Sequence, residues 1–422
     1  MSKQQKISIV GLGYVGLPLA LLAAKKGLQV VGVDLDAAKV DKINKRIDPL
    51  EDEYVASHLK DTTLTATTDA DEMRDCSISI VCVPTPVEHD YQPDLRPLKG
   101  AVSMLAKQLN KGDLVIIEST INPGVCDDVV IPLIEKESGM KVNTDFYVSH
   151  CPERINPGDP KWSVENIPRV VGSSHPDGLK KTVAFYESII DAPIKPMATL
   201  KEAEACKVVE NSFRDINIAF VNELAMSFTK LGINVKNVIE GAATKPFAFM
   251  PHFPSIGVGG HCIPVDPYYL IEYARGHGFE HEFLALARSI NNRMPEFTVE
   301  QLMDALNEVG YTLKDSKVTV LGLSYKANVA DDRESPSYKV IQLLQDKGAK
   351  VETFDPFFKE TSTKSSLEDA VADADAIILA TNHQVFLDMD VSKLGIKVFI
   401  DGKNALDKSA FPASIIYRGI GV

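Results

Sequence analysis

The chain carries the same strand, turn and strand pattern near both of its ends, and this repetition is the feature that most limits its fold. Residues 6–10 (KISIV) form a short apolar run before a glycine turn, a helical stretch and a second apolar run that ends at Asp34. The segments 317–326 and 348–355 resemble the beginning and the end of this unit. A strand, helix and strand in this order form a βαβ unit, so the sequence predicts a parallel α/β domain at each end.

The rest of the pattern predicts three sections in an α/β protein. Further strands are expected at 77–83, 114–118 and 146–149, and their near-continuous apolar character is typical of a parallel sheet buried on both faces. A chain of 422 residues is too long for one hydrophobic core. We expect two Rossmann-like doubly wound domains joined by a central all-helical domain. The expected bounds are 1–198, 199–310 and 311–422.

One long connecting helix is predicted between Thr199 and Gly232. Thr199 and Glu202 form a capping-box pattern, in which each side chain can satisfy a free backbone N–H group, and no proline or glycine follows until Gly232. Such a helix is about 45–50 Å long at a rise of about 1.5 Å per residue. Because one compact domain cannot cover that length, we expect the helix to bridge two domains and to contribute to a dimer interface.

The first glycine turn has the spacing of a dinucleotide site. Gly11, Gly13 and Gly16 follow a predicted strand and open a helix, and Asp34 ends the next strand. The first glycine permits the tight turn, the second lets a pyrophosphate approach, and the third lets the helix and the strand pack closely. Asp34 can accept hydrogen bonds from an adenosine ribose and repels a 2′-phosphate, so the pattern predicts NAD as the cofactor. A purely structural glycine turn is the alternative. The second glycine turn lacks the third glycine, and we expect it to hold a different ligand.

Two polar turns follow other predicted strands of the first section. Thr85 stands in a Pro-Thr-Pro turn, and Thr120 follows the strand predicted at 114–118. Since the carboxyl ends of strands line the ligand crevice of an open α/β sheet, both threonines are candidates for contact with NAD or with a bound water. Ordinary turn residues are the alternative.

The predicted long helix carries a polar line. Lys207 and Asn211 are four residues apart, so they lie on one helix face about one turn apart, and Asp215 continues this line. A lysine with an amide in this arrangement can polarise an oxygen or stabilise a developing oxyanion. A solvated helix face is the alternative, although neighbouring apolar residues leave Lys207 on a narrow polar stripe.

The segment 257–267 (GVGGHCIPVDP) presents a thiol in a glycine-rich context. Cys262 follows two adjacent glycines closely and precedes Asp266 by four residues. Glycine has no Cβ, so the backbone can lie close to a ligand, and a thiol there can attack a bound aldehyde to give a thiohemiacetal. Loss of a second hydride to NAD gives a thioester, which water hydrolyses to the acid. Asp266 can activate that water or pair with Lys207. An inert buried cysteine is the alternative.

Charged residues also follow the first strand of the third section. Lys326 and Arg333 suit a pyrophosphate, because basic side chains donate strong hydrogen bonds to phosphate oxygens. Local ion pairing with Asp331 and Asp332 is the alternative.

Composition and charge argue against several classes of partner. The net charge of −13 disfavours a general nucleic-acid or anionic-membrane surface, and no apolar run approaches the ~18 residues of a membrane helix. Residues 1–6 lack the apolar core of a signal peptide, so we expect a cytoplasmic protein. The cysteines are scattered without a CxxC pair, and His277 and His281 have no third ligand, so no disulfide framework and no metal site are predicted.

Seven motifs spread over nearly the whole chain carry a family resemblance. They are GLGYVGLP, PTP, ESTINPG, CPERINPGD, ENSFRDINIAFVNEL, GVGGHCIPVDPYYL and SYKANVADDRESP. In this order they resemble the nucleotide-sugar 6-dehydrogenases of the UDP-glucose/GDP-mannose dehydrogenase family. The resemblance implies an NAD-binding domain, a central dimerisation domain and a C-terminal domain that holds the UDP part of a UDP-sugar. It also implies four-electron oxidation of the sugar C6 alcohol by two NAD, in a homodimer or higher homo-oligomer that serves polysaccharide biosynthesis.

The resemblance implies roles for individual residues. Cys262 resembles the family's thiol nucleophile, and Lys207 resembles its oxyanion-stabilising lysine. The positions that order water, act as acid or base, or hold the water and the sugar are matched by Asn211, Asp266, Thr120 and Glu153. The implied NAD-binding residues are Gly11, Gly13, Tyr14, Val15, Gly16, Asp34, Pro84, Thr85, Thr120 and Arg333. The implied substrate-binding residues are Glu153, Arg154, Lys207, Asn211, Arg214, Gly257, Gly259, Gly260, Tyr325 and Lys326.

Departures from the family pattern bear on the sugar. Ser255 stands where many members have glycine, and Pro157 stands where UDP-glucose enzymes usually carry a second acid. Arg214 is similar to members that act on N-acetylated sugars, and CPERINPGD resembles the subgroup that uses UDP-N-acetylglucosamine or its C4 epimer. We therefore expect a UDP-N-acetylhexosamine 6-dehydrogenase with UDP-N-acetylglucosamine favoured. The alternatives are the manno or galacto epimer, UDP-glucose, a two-electron alcohol dehydrogenase, and a non-catalytic NAD-binding scaffold.

Overall fold

The chain forms two compact units in the computed structural model. The structure describes residues 5–50, 52–86, 93–154, 161–260 and 262–422. The first unit comprises Met1–Glu210 with Tyr268–Gly278, and the second comprises Asn211–Pro267 with Phe279–Val422. This grouping differs from three sequential domains, whose bounds stay a prediction.

The first unit is built on one large sheet. Its strands are β1 (Lys6–Val10), β2 (Gln29–Val33), β3 (Thr65–Thr67), β4 (Ile78–Val81), β5 (Leu114–Ile117), β6 (Tyr147–His150), β7 (Arg169–Ser173) and β8 (Ile194–Pro196). Within the described residues their order is β3-β2-β1-β4-β5-β6-β7-β8. Neighbours are parallel except for β6 and β7, which are antiparallel. In the central register, Ile9 pairs with Gly32 on one side and with Ile80 on the other.

Helices surround this sheet because its strands are apolar on both faces. They are α1 (Gly16–Lys25), α2 (Ala37–Asn44), α3 (Glu53–His58), α4 (Arg96–Ala106), α5 (Ile131–Ser138) and α6 (Pro176–Ile189), with a short 3₁₀ helix at Ala70–Met73 and a π-helix at Cys126–Val130. Every residue of α1 before Lys25 is buried. Ile7, Ile9 and Leu17 have no exposed surface, and burying each such side chain contributes about 1.5–3 kcal/mol.

The predicted long helix is confirmed as α7 (Leu200–Leu231), whose 32 residues belong to the first unit up to Glu210 and to the second unit from Asn211. The Thr199 hydroxyl accepts the Glu202 N–H at 3.1 Å, as the capping box predicts, but the Glu202 carboxylate accepts the Ala198 N–H at 2.8 Å instead of that of Thr199. Gly232 has φ +69°, a left-handed conformation that ends the helix.

The second unit contains further helices and a smaller sheet. The helices are α8 (Val235–Ala243), α10 (Glu282–Glu308), α11 (Pro336–Asp346), α12 (Leu367–Ala372) and α13 (Gln384–Leu387), with 3₁₀ helices at Val391–Lys393 and Lys408–Ala410, whereas α9 (Asp266–Gly276) begins here and continues in the first unit. The strands are β9 (Lys317–Leu321), β10 (Lys350–Phe354), β11 (Ala376–Leu379), β12 (Val398–Asp401) and β13 (Ile416–Gly419). Their order is β10-β9-β11-β12-β13, and all neighbours are parallel.

The two sheets share a topology that positions ligand sites. In each, the strand order reverses beside the first strand, between β1 and β4 and between β9 and β11. Ligands bind outside the carboxyl ends of strands at such a switch point. Gly11 and Gly322 begin the turns at these two places. The predicted fold class, Rossmann-like α/β sections at both ends with helices between them, is confirmed. No helix in the described part of the chain has the length and apolar character needed to cross a membrane.

Candidate active site

The first glycine turn is crowded at two positions and open at the third. Gly11 has φ +93°, and a Cβ there would lie 2.7 Å from the Cys82 carbonyl oxygen. A Cβ on Gly16 would lie 1.9 Å from the Gly11 carbonyl oxygen, so only glycine lets α1 pack on the turn. A Cβ on Gly13 would meet no described atom within 4 Å. The turn therefore leaves space where a dinucleotide pyrophosphate would approach the N-terminus of α1.

Asp34 lies at the end of β2, beside this turn. Its carboxylate accepts the Leu12 N–H at 2.8 Å, the Asp36 N–H at 3.0 Å and the Lys39 ammonium at 2.9 Å. Burial alone would raise the pKa of Asp34, but the hydrogen bonds from Asp36, Leu12 and Lys39 lower it. The side chain is thus an ionised acceptor that keeps 11% of its surface exposed, as a ribose ligand requires. The sequence analysis did not identify Lys39, although it lies only one helical turn into α2.

A hydrogen bond joins the turn after β4 to the turn after β5. The Thr85 hydroxyl donates to the Thr120 carbonyl at 2.5 Å, and the Tyr269 hydroxyl donates to the Thr85 carbonyl at 2.5 Å. Pro84 belongs to the first of these turns. In the glycine turn, Tyr14 is half-exposed and its hydroxyl donates to the Leu50 carbonyl at 3.2 Å, next to half-buried Val15. Contacts of all these residues with NAD stay predictions.

A buried charged cluster that the sequence analysis missed lies beyond β5. The Glu118 carboxylate accepts the Tyr186 hydroxyl at 2.5 Å and lies 3.7 Å from Nη1 of Arg169, and none of the three side chains is more than 1% exposed. Burial raises the pKa of Glu118, although Arg169 and Tyr186 oppose this effect. Glu153 is 8% exposed, and its charge acts on both Glu118 and Arg169. Glu153 thus lies in the electrostatic field of this cluster.

Other predicted residues of the first unit have protein partners. Arg154 forms a two-contact ion pair with Glu210 and donates to the Pro168 carbonyl at 3.0 Å, so its substrate role stays a prediction. Lys207 is half-buried on α7. One turn earlier, the fully buried Glu204 carboxylate accepts the N–H groups of Gly124 and Cys126 at 2.6 and 2.8 Å. These two hydrogen bonds tie α7 to the segment that follows Thr120. Pro157 lies outside the described residues.

In the second unit, the structure brings together three of the predicted catalytic residues. The Cys262 carbonyl accepts the N–H groups of Val265 and Asp266 at 3.1 and 2.8 Å, which places the cysteine one turn before α9. The Asp266 carboxylate accepts the Asn211 side-chain amide at 2.5 Å. Asp266 is 2% exposed and Asn211 8%, so this hydrogen bond is shielded from water.

The glycines before Cys262 lie against Tyr325. A Cβ on Gly259 would be 2.6 Å from Cβ of Tyr325, and one on Gly260 would be 3.0 Å from its ring, so neither position has room for a side chain. The Gly260 N–H donates to the Arg333 carbonyl at 3.0 Å. Burial raises the pKa of Tyr325, as does the charge of Cys262, while Arg214 opposes the rise. Tyr325 therefore lies near both Cys262 and Arg214.

The charged segment after β9 is internally paired. Arg333 donates Nε and Nη2 to the Asp331 carboxylate at 2.9 and 2.6 Å, which is the ion-pairing alternative stated above. Its contact with NAD stays a prediction. Lys326 is half-buried and Arg214 is exposed. Gly257, with φ +137°, lies close to Pro336, because a Cβ there would be 2.9 Å from Cβ of Pro336.

The predicted line from Lys207 through Asn211 to Asp215 does not continue as expected. Asp215 instead forms a buried ion pair with Arg288 at 2.5 Å and accepts the Asn291 side-chain amide at 2.8 Å. Both partners lie on α10, more than seventy positions further along the chain. Helical spacing alone could not show that this end of the polar line faces another helix.

The thiols differ in their surroundings. Cys76, Cys82, Cys126 and Cys151 are buried, whereas Cys206 and Cys262 are partly exposed. Burial raises the pKa of Cys76 to about 11 and that of Cys151 to about 12, and it raises the pKa values of Cys82 and Cys126 well above the usual value of a thiol. Burial also raises the pKa of Cys206. Among the described residues, no three His, Cys, Asp or Glu side chains are grouped to hold a metal ion.

Comparisons with known proteins match most of the chain. Three domain models of the UDP-glucose/GDP-mannose dehydrogenase family match the chain. The NAD binding domain matches residues 5–190, the central domain 201–293 and the UDP binding domain 319–408.

Individual relatives match over almost the whole length. The UDP-N-acetyl-D-glucosamine 6-dehydrogenase of Pseudomonas aeruginosa is 38% identical over 96% of this chain and 98% of its own. The UDP-N-acetyl-D-mannosamine dehydrogenase of Pyrococcus horikoshii is 36% identical over 99% of both chains. A solved structure of a UDP-D-ManNAc dehydrogenase from Pyrococcus horikoshii superposes with a TM-score of 0.93 at 35% identity, over 99% of both chains.

Proposed function

Since the chain belongs to the UDP-glucose/GDP-mannose dehydrogenase family and is an NAD-dependent oxidoreductase, we propose that it oxidises the C6 hydroxyl of a UDP-N-acetylhexosamine to a carboxylate. UDP-N-acetylglucosamine is the favoured substrate. The overall reaction converts one primary alcohol, one water and two NAD⁺ into one carboxylate, two NADH and three protons. Four electrons leave the sugar carbon, two in each oxidation.

The observation that carries the proposal is the arrangement of Cys262, Asp266 and Asn211. The backbone N–H of Asp266 donates to the Cys262 carbonyl, which keeps the two residues one turn apart, and the Asp266 carboxylate is oriented by a buried amide. A nucleophile beside an oriented acid or base is what covalent capture of an aldehyde requires. The other thiols, apart from Cys206, are buried.

NAD, when bound, accepts one hydride in each oxidation. Gly13 leaves room for its pyrophosphate, and Asp34 presents an ionised acceptor for its ribose. The Cys262 sulfur bonds to the aldehyde carbon as a thiohemiacetal, and the thioester formed by the second oxidation stays attached to the protein. Covalent attachment keeps the aldehyde from hydrating or escaping between the two oxidations.

Other side chains act on oxygen and water. Lys207 resembles the family's oxyanion-stabilising lysine, and it stabilises the oxyanion that develops at C6 because an ammonium group attracts the negative charge. Asp266, held by Asn211, takes a proton from the water that hydrolyses the thioester. Thr120 and Glu153 hold this water and the sugar. Tyr325, Lys326 and the backbone of Gly257, Gly259 and Gly260 bind the substrate.

The preference for an N-acetylated gluco sugar rests on two features. Arg214 is exposed and lies near Tyr325, so its guanidinium can donate to the carbonyl of an acetamido group. The motif CPERINPGD also matches the subgroup that uses UDP-N-acetylglucosamine or its C4 epimer. The manno and galacto epimers and UDP-glucose are the competing substrates.

The test is the NADH yield with each UDP-sugar at limiting concentration. UDP-N-acetylglucosamine should give two NADH per sugar and a uronic acid. Turnover of UDP-glucose with none of any N-acetyl sugar would reject the substrate assignment. One NADH per sugar would favour a two-electron alcohol dehydrogenase, and no NADH with any UDP-sugar would favour a scaffold.

We also propose that the active protein is a cytoplasmic homodimer or higher homo-oligomer. Phe213 and Phe220 on α7 are 47% and 52% exposed, and Phe283 and Leu286 on α10 are 66% and 58% exposed. Large apolar side chains grouped at a surface mark association sites. Light scattering during gel filtration should give at least twice the mass of one chain, and a monomer that is fully active would contradict this proposal.

A further inference from the structure

We infer that Asn222 is a positioning residue for the segment that carries Cys262. On this inference, α7 holds the segment 255–266 at both of its ends. Asn222 contacts Ser255 at the first end, and Asn211 contacts Asp266 at the second. The inference rests on the proposed function, because it concerns the segment that would supply the nucleophile.

The two asparagines lie on one face of α7. They are eleven residues apart, which is about three turns and about 16 Å along a helix of 3.6 residues per turn. Asn211 donates to the Asp266 carboxylate at 2.5 Å, and the Asn222 side-chain oxygen accepts the Ser255 N–H at 3.0 Å. Ser255 and Asp266 are themselves eleven residues apart, and Cys262 lies between them. The two contacts thus hold the segment on either side of Cys262.

Asn222 is fully buried, and both ends of its amide are used. Its nitrogen donates to the Asn291 side-chain oxygen at 2.9 Å. Asn291 in turn donates to the Asp215 carboxylate at 2.8 Å and to the Asp215 carbonyl at 3.0 Å. Arg288 pairs with the same carboxylate. A continuous chain of buried polar contacts therefore runs from α10 through Asn222 to the backbone of the thiol-bearing segment.

Ser255, the residue that Asn222 anchors, orients the start of the segment. The Ser255 hydroxyl donates to the Gly257 carbonyl at 2.7 Å, so the anchored residue directly orients the first glycine. The following glycines fit against Pro336 and Tyr325 at distances that leave no room for a Cβ. Because a side chain misplaced by about 1 Å can slow a reaction by about a hundredfold, losing the anchor at Ser255 should impair catalysis more than folding.

The experiment compares Asn222→Ala with two controls in the full chain. Asn217→Ala changes a half-buried asparagine of α7 whose amide bonds only to the Phe213 carbonyl among the contacts described. Ile377→Ala destabilises the second unit by opening a cavity in a core cluster that contains no described residue of the segment. The readouts are kcat and KM with UDP-N-acetylglucosamine, NAD affinity, peptide-level hydrogen exchange over 255–266, and the rate of Cys262 alkylation by iodoacetamide.

Asn222→Ala should lower kcat by about ten- to a hundredfold. The rate of amide hydrogen exchange over 255–266 and the rate of Cys262 alkylation should each rise by about five- to thirtyfold, because one buried hydrogen bond is lost. NAD affinity should not change. If Asn222→Ala does not fold, Asn222→Ser, whose hydroxyl can bond within α7, takes its place with the same expectations.

Exchange, alkylation and kcat that match those of Ile377→Ala would overturn the inference. The exchange and alkylation measurements need no substrate. If the wild-type protein produced no NADH with any UDP-sugar, the proposed function would fail while these two measurements still decided the role of Asn222.

Discussion

Asp34 and Asp355 occupy equivalent places in the two sheets, but replacing each with asparagine should change a different property. The change at Asp34 should affect NAD binding, and the change at Asp355 should affect stability. Asp34 follows β2 and accepts the Leu12 N–H at 2.8 Å, and Asp355 follows β10 and accepts the Leu323 N–H at 2.7 Å. Asp34 keeps some surface exposed, whereas Asp355 has none because His383 covers it at 3.1 Å. The first carboxylate is open to a ribose, and the second is closed to any ligand.

The stability that Asp355 provides follows from its pKa. Burial alone would raise this pKa, but hydrogen bonds from His383 and from the N–H groups of Ser324 and Phe357 lower it from 3.8 to about 2. At about 1.36 kcal/mol for each pH unit, the difference corresponds to about 2 kcal/mol of unfolding free energy. Because the folded-state pKa is lowered, this contribution is present above pH 3.8 and is lost as the pH falls through about 2.

We therefore predict that Asp355→Asn lowers the unfolding free energy at pH 7 by about 2–3 kcal/mol and leaves NAD affinity unchanged. Urea denaturation should show the difference from wild type at pH 7 and a smaller difference near pH 2.5. Asp373→Asn, a change at an exposed side chain, serves as the matched control and should stay within about 0.5 kcal/mol of wild type. An equally stable Asp355→Asn protein, or one with weakened NAD binding, would refute the reasoning.

Three further predictions concern ligand binding. Gly13→Ala should fold with normal stability yet bind NAD at least about tenfold more weakly by calorimetry, whereas Gly16→Ala should lose about 3 kcal/mol of stability or more because of its contact with Gly11; two equally stable variants would contradict this. Asp34→Asn should weaken NAD and strengthen NADP binding, since it releases Lys39 for a 2′-phosphate, and an unchanged NADP affinity would count against it. Arg214→Leu should raise KM for UDP-N-acetylglucosamine about tenfold without altering KM for NAD, and equal effects on both constants would show a different role.

Local patterns in the sequence predicted most of the fold. The βαβ unit, the strands near 78, 114 and 147, and α7 depend on apolar periodicity and caps within a short stretch of chain. The glycine turn was also predictable, because the spacing of Gly11, Gly13 and Gly16 between a strand and a helix is a local pattern in the sequence.

The polar contacts of the site were less predictable because they join distant parts of the chain. Asp215 and Arg288 are 73 positions apart, and Asn222 and Ser255 are 33 apart. Their pairing depends on which helix faces which, and a single sequence does not contain that information. Glu118 was predicted only as the end of a strand, whereas its partners Arg169 and Tyr186 gave no signal.

The most direct test of covalent catalysis is mass spectrometry of the protein quenched during turnover of UDP-N-acetylglucosamine and NAD. The peptide that contains Cys262 should carry the mass of the sugar nucleotide, and Cys262→Ser should bind NAD normally while losing sustained NADH production. An unmodified Cys262 peptide throughout turnover, together with an unimpaired Cys262→Ser protein, would contradict the mechanism.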